Sequence, residues 1–289
     1  MKPVSVLDAA AHRGLPAADR DRAAPAAGAT RRCDPRLYQI ATLAGLLAYG
    51  VYRLHLEVQV QTALAIVATA LVTQLACTRL SGRFDPRSAL ISALSLCLLL
   101  RTGSLSLAML AAFVAIASKF VLRVRDKHVF NPTNFALVTM MLATGEVWVS
   151  PGQWGSGLVF AFLLACAGGL VVNRAARADV TLAFLICWAS MLVARSLWLG
   201  EPLAIPLHRL ENGALVLFAF FMISDPRTTP DSRAGRLLFA ALVALGAYAV
   251  QFSLFRTNGL LWSLAVCSLL VPLIDRLLPG RRYQWRTSP

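Results

Sequence analysis

With 57% hydrophobic residues and only 15% charged in 289 positions, and a mean hydropathy of +0.64, this chain lies outside the composition of soluble globular domains, in which about a quarter of residues are charged. Its formal charge of +14 raises nucleic acid as a partner, but the basic residues fall in short clusters between apolar runs. That is the pattern of membrane topology, not of a phosphate-binding face, so the expected partner is the lipid bilayer and not nucleic acid. Of six cysteines, Cys77, Cys97, Cys166, Cys187 and Cys267 sit inside apolar runs with no CxxC pair or neighbouring histidine, so iron–sulfur, zinc and disulfide roles are not expected.

Residues 1–36 are rich in Ala, Arg, Asp and Pro and lack an apolar core, so they read as a disordered tail and not as a signal peptide. Ten apolar segments follow, at about Leu37–Tyr52, Leu56–Cys77, Ala89–Leu100, Leu105–Leu122, Thr133–Val149, Leu158–Val172, Val180–Leu199, Ala214–Ser224, Leu237–Phe255 and Gly259–Ile274. Most approach the roughly 20 residues that cross a hydrocarbon core of about 30 Å; the third and eighth are shorter. The expected organisation is an all-α polytopic membrane domain over 37–277 and a short tail over 278–289.

Placing alternate loops on opposite sides puts 23 of the 28 Lys and Arg residues on one side and 5 on the other. By the positive-inside rule both termini are cytoplasmic, in a multi-pass protein of the cell's inner (plasma) membrane. Five crossings followed by five invite an inverted repeat. The short segment is third in each half, and Thr133-Asn134 and Thr257-Asn258 follow its start by 44 and 43 residues.

Polar chemistry concentrates in a few places. Ser81–Arg87 contains Asp85-Pro86-Arg87, a turn starter whose aspartate can cap the next helix. Ser118–Leu137 holds the basic run Lys119, Arg123, Arg125 and Lys127, a topology anchor, and then Phe130-Asn131-Pro132-Thr133-Asn134. There Asn131 is placed as N-cap and Pro132 at the first helical position. Thr133 and Asn134 bring polar groups into a membrane helix, where they need a partner or a cavity. Phe220–Leu237 stops an apolar segment with Asp225 and Pro226 and lays down Arg227, Thr228, Thr229, Pro230, Arg233 and Arg236, a run suited to holding a polar ligand. Trp148 and Trp154 read as interfacial anchors, and His208 as an exposed loop histidine. No carboxylate stands at a segment centre, and no nucleotide-binding, nucleophile-elbow or metal-ligand motif is present, so no stand-alone catalytic site is expected.

Met222, Ser224, Asp225, Pro226, Thr229, Pro230, Gly235, Arg236 and Leu237 resemble the Met-Ala-Thr-Asp-Pro-Val run and following Gly-Arg-Leu of the NqrB/RnfD family, which comprises RnfD of the Rnf electron-transport complex and NqrB of the sodium-translocating NADH:quinone reductase. The stretch from Asp85 into the third segment and the run Val271-Pro272-Leu273-Ile274-Asp275 resemble the same family. Asn131, Pro132 and Asn134 answer to its Asn-Pro-Ala place, from which Thr133 departs. The resemblance implies two inverted five-helix repeats with a helical fold similar to that of urea transporters. It also implies a membrane protein that binds riboflavin or FMN non-covalently and relays electrons to other membrane or soluble redox subunits. The residues it points to are Asn131, Thr133, Asn134, Asp225, Arg227, Thr228 and Thr229, with Phe130, Phe135, Phe220 and Phe221 as walls. Arg227 would favour a reduced, anionic ring. Covalent FMN is not expected, since Gly145–Gly157 lacks the family's Ser-Gly-Ala-Thr attachment motif. Two other readings use the same fold without cofactor: a solute transporter or channel, and a membrane scaffold of a biosynthetic pathway, since family members occur beside enediyne pathways.

Overall fold

The computed structural model describes residues 34–149 apart from 54, 57, 82 and 83, then 168, 169, 172 and 177–283. The expectations for the first tail up to residue 33, for the loop 150–157 and for nearly all of the sixth apolar segment lie outside these residues.

Each described apolar segment forms helix: α1 (Pro35–Arg53), α2 (Val60–Ser81), α3 (Pro86–Leu99), α4 (Leu105–Val121), α5 (Pro132–Thr144), α6 (Ala178–Leu199), α7 (Ala204–Leu210), α8 (Gly213–Leu217), α9 (Arg233–Tyr248), α10 (Gly259–Ser268) and α11 (Val271–Leu277). Three are long and apolar enough to cross a membrane, over Val60–Arg79, Ala178–Leu199 and, with a π-helical extension, Arg233–Ser253; α10 and α11, bent by 51° at their junction, qualify as a fourth if taken together. Their outward faces carry exposed Val60, Leu64, Val72, Leu182, Ile186, Leu197 and Leu245, the surface of a protein whose solvent is hydrocarbon.

The ends of the helices are set by local chemistry. Asp85 caps α3 by accepting from Ser88 N, with Pro86 at the first helical position. At the far end of α3, Arg101 folds back beneath it and donates to the carbonyls of Cys97 at 3.2 Å, Leu98 at 3.2 Å and Leu100 at 2.7 Å. A cation there satisfies orphan carbonyls and meets the negative end of the helix dipole. The fifth segment is shorter than expected because Gly145, at φ +65°, closes α5 in the left-handed conformation. Trp148 and Val149 (β4) then pair antiparallel with Arg101 and Leu100 (β1). The loop after α6 also contains α7, about two turns of helix the hydrophobic pattern does not show.

Packing follows two groups. Helix α2 lies against α3 and α4, α1 against α3, and α4 against α5; in the second group α6 and α10 pack on α9. Helix α4 buries Ala108, Ala111, Ala112 and Ala115 completely, a small-residue face of the kind that lets membrane helices approach closely. The groups meet where α5 packs on α10. There Asn134 Nδ2 donates to Leu261 O at 3.1 Å and Asn258 Nδ2 reaches Met141 Sδ at 3.8 Å, which sets the two helices antiparallel.

Two π-helical turns interrupt the second half, at Phe218–Met222 and Ala249–Ser253. Such turns are uncommon and gather at functional places. The first delivers the chain into the polar turn 223–232.

Candidate functional site

Four pieces of backbone converge at one end of the bundle: the first turns of α3 and α5, the last turn of α4, and the turn after the first π segment. They enclose a polar cavity of about 70 Å³, lined among others by Arg36, Asp85, Lys119, His128, Asn131 and Asp225.

Asn131 organises the wall. Its Oδ1 accepts from Asn134 N at 3.1 Å, capping α5, while its Nδ2 donates to Met222 O and Asp225 Oδ2, both at 3.4 Å. One side chain therefore starts a helix and fastens it to the turn contributed by the other half of the chain. Asp225 is turned the same way: Oδ1 accepts from Arg227 N at 3.0 Å, and its backbone carbonyl accepts from Thr228 N and Thr229 N, each at 3.1 Å. Burial pushes the Asp225 carboxyl above its ordinary range, against the pull of the Arg227 backbone bond and the charges of Arg227, Lys119 and Arg177.

A two-residue hairpin brings His128 to the site. Strands β2 (Arg123–Val124) and β3 (Lys127–His128) pair antiparallel, with Arg125 and Asp126 at φ 51° and 59°, the backbone such a turn requires. The Arg227 guanidinium lies 3.1 Å from His128 Nε2. Arginine only donates, so Nε2 accepts and the proton sits on Nδ1, which is buried and makes no well-formed hydrogen bond. Burial, reinforced by Arg227, Arg123 and Lys119 and opposed only weakly by the Lys119 backbone, lowers the His128 pKa to about 3, so the ring is neutral. Lys119, at the end of α4, is 5% exposed and donates to Ser88 O at 2.8 Å and Ser88 Oγ at 3.1 Å.

Of the seven residues the sequence points to, Asn131, Thr133, Asp225 and Arg227 line this cavity, and Asn134, Thr228 and Thr229 do not. Asn134 Nδ2 is used joining α5 to α10, while its Oδ1 is buried without a hydrogen-bond partner. Thr228 Oγ1 donates to Asp225 O at 3.3 Å, and Thr229 Oγ1 accepts from Arg177 Nε at 3.1 Å. Among the four phenylalanines, Phe220 and Phe221 line the cavity, whereas Phe130 and Phe135 pack on one another, 5.0 Å between ring centres.

Sequence reasoning missed Arg36, Lys119 and His128, and a signal for the first was present. Asp-Pro-Arg occurs three times, at 34–36, 85–87 and 225–227. The first two copies clasp reciprocally: Arg36 Nη1 reaches Asp85 Oδ2 at 2.6 Å and Arg87 Nη1 reaches Asp34 Oδ2 at 2.8 Å. All three copies place residues at the cavity, through Arg36, Asp85, Asp225 and Arg227.

Beyond His128 lies a second, open cleft of about 550 Å³ between the hairpin and α11. Lys127 closes its floor with ion pairs to Asp231 at 3.0 Å and Asp275 at 2.6 Å. On the far side of the polar turn Arg236 pairs with Asp179 at 2.6 Å. Arg236, Lys127 and Asp275 thus hold the 223–232 turn and α11 in place, and their work is structural.

Residues 143–284 match the family described as NQR2, RnfD, RnfE family. The D component of the ion-translocating oxidoreductase complex from Escherichia coli strain K12 is 33% identical over 134 residues, which is 46% of this chain and 38% of that relative. The corresponding protein from Shigella boydii serotype 18 matches with the same identity and coverage. The match thus spans little more than a third of these relatives' length. The family stretch takes in the Asp225 turn, Gly235-Arg236-Leu237 and Asp275, while Asn131–Asn134 precede it. Residues 143–284, which contain the polar turn and the Arg236–Asp179 pair but not Lys127, are thus similar to the NQR2, RnfD, RnfE family.

Proposed function

We propose that this chain is a membrane component of an Rnf-type electron-transport complex that takes a riboflavin or FMN non-covalently at the Asn131–Asp225 cleft and passes electrons to partner redox subunits. The observation that carries the reading is the bond from Asn131 to Asp225. It draws the polar start of α5 and the polar turn of the second half into one wall, as a site between two halves of a chain requires. The proposed frame is ten crossings in two inverted five-helix repeats, with both termini in the cytoplasm of a cell bounded by this membrane.

The donor set suits a flavin in kind. Asn131, Thr133 and Ser224 offer amide and hydroxyl groups to a ring edge of alternating donors and acceptors, Phe220 and Phe221 offer faces, and Arg227 offers a cation. The enclosed volume does not suit it: about 70 Å³ falls short of the roughly 300–1,000 Å³ of ordinary ligand pockets. The reading therefore requires the cleft to open, and exposed Arg227 is the side chain placed to swing. A bound flavin would supply the one- and two-electron chemistry; the chain supplies orientation through Asn131 and charge through Arg227.

The decisive test is an absorption spectrum of the detergent-purified protein, followed by acid extraction of any released flavin. Stoichiometric flavin, lost in Asn131→Ala and Asp225→Ala, supports the reading. Protein that stays colourless after riboflavin and FMN are supplied sinks it. The small polar cavity itself favours a second reading, a pathway for a small solute, and solute flux in liposomes would then separate a transporter from a membrane scaffold.

A further inference from the structure

We propose that the cavity at the start of α3 and α5 is a binding site for a small oxyanion of the phosphate and sulfate class. This goes beyond the flavin reading, and because both would use the same cleft, a riboflavin ring seated there would exclude the anion.

Three observations meet there. The first is Lys119, 5% exposed, whose ammonium finds only the carbonyl and hydroxyl of Ser88 and, among the described residues, no carboxylate within ion-pair distance. Asp225 and Asp85 act on it only from beyond ion-pair distance, and a buried cation so weakly compensated gains from an anion brought beside it. The second is His128, 7% exposed, whose buried Nδ1–H has the Lys119 backbone beside it but makes no well-formed hydrogen bond. The third is the balance of charge. Arg36 at the cavity is held by Asp34 and Asp85, which leaves Lys119 and Arg227 against Asp225, and that carboxylate is already engaged by Arg227 N and Asn131. The first turns of α3 and α5, helices of 14 and 13 residues, add the positive ends of their dipoles.

Size selects the class of ligand. About 70 Å³ is about half of the roughly 150 Å³ cavity that takes up benzene, so it suits a small tetrahedral oxyanion and not a ring system. Such an anion can arrive free or as the terminal phosphate of a larger molecule, and the recognising groups are the same.

The test uses the full chain in lipid nanodiscs. Sodium phosphate is titrated calorimetrically and by thermal unfolding against sodium chloride of equal ionic strength. The expected result is saturable binding and a phosphate-specific rise in Tm. Arg227→Gln, at an exposed position, should weaken binding by about tenfold, as loss of one charge-assisted bond does, and Lys119→Met should abolish it. Phosphate that acts no differently from chloride, or binding unchanged in both variants, overturns the proposal. If flavin mononucleotide displaces phosphate and riboflavin does not, the natural source is a phosphate ester; if neither does, it is the free ion. Displacement by riboflavin as effective as by the mononucleotide also overturns it, because the ring would then fill the cavity. Quenching of riboflavin fluorescence on the same samples reads flavin binding at this same cleft, so its absence beside intact phosphate binding counts against the electron-transfer reading alone.

Discussion

His128 shows how a single residue ties the site to solution conditions. Its folded pKa of about 3 lies below the ordinary 6.5, so the folded state binds its proton less readily than the unfolded state does. The stability it supports is complete above about pH 6.5 and is lost as pH falls, by roughly 1.4 kcal/mol per pH unit. Asp225 acts with the opposite sign: its carboxyl is raised by burial, so acid relieves part of the cost of burying it. His128→Gln keeps an acceptor for Arg227 and removes the titration. Denaturant unfolding between pH 5 and 7.5 should therefore give a sloping curve for the natural chain and a flatter one for His128→Gln; parallel curves would remove His128 as the source. Neither property was visible in the sequence, where His128 is one of four histidines and stands in a basic run. Its burial depends on a hairpin whose turn residues, Arg125 and Asp126, carry none of the glycine or asparagine that usually marks such turns.

At the scale of elements, the ends of the helices carry the energetics. Asn131→Ala removes the cap of α5 and two bonds to the 222–225 turn. A lost cap costs about 1 kcal/mol and the two bonds add about 1 kcal/mol, so Tm in detergent should fall further for Asn131→Ala than for Ser232→Ala, which loses only the cap of α9. Gly235 is constrained differently. A Cβ there would stand 2.8 Å from Ser232 Oγ and 3.0 Å from both Ile274 Cγ2 and Pro230 Cβ, so Gly235→Ala should destabilise by about 1–3 kcal/mol, read as a lower unfolding midpoint. Lys127→Met leaves Asp231 and Asp275 facing each other without their shared cation; about 3 kcal/mol should be lost, and Lys127→Met with Asp275→Leu should recover part of it. The caps were legible, because Asp-Pro and Asn-Pro at a boundary state their role in residue types alone. The pairing of Lys127 with residues more than a hundred positions away is a tertiary fact that no local pattern encodes.

For the whole molecule, the apolar segments were legible because hydrocarbon as solvent forces a nearly continuous signal, and the described segments formed helix, though the fifth stopped early at Gly145 and the tenth broke into two helices. The resemblance was legible for a different reason: the Asp225 turn and the Gly235-Arg236-Leu237 run lie inside the stretch that matches the family. The shape of the cavity was not, because it depends on which side chains are spent on one another. Asn134, Thr228 and Thr229 looked as available as Asn131 until their partners were known. The proposed orientation has its own check. Reporter fusions at residue 289 and in the 201–212 loop should report cytoplasm and exterior respectively, and the same compartment for both would break the alternation on which the inverted repeat rests.

The reciprocal Asp-Pro-Arg clasp also sets an order in time. Arg36 and its partner Asp85 are 49 residues apart, and at a synthesis rate of about 5–20 residues per second the first helix waits roughly 2 to 10 seconds before its mate leaves the ribosome. During that interval Arg36 has Asp34 beside it, and helix α1 is held only by its neighbours in lipid. Biogenesis of this chain therefore cannot complete its first helix first: the opening turn of α1 is finished by the opening turn of α3.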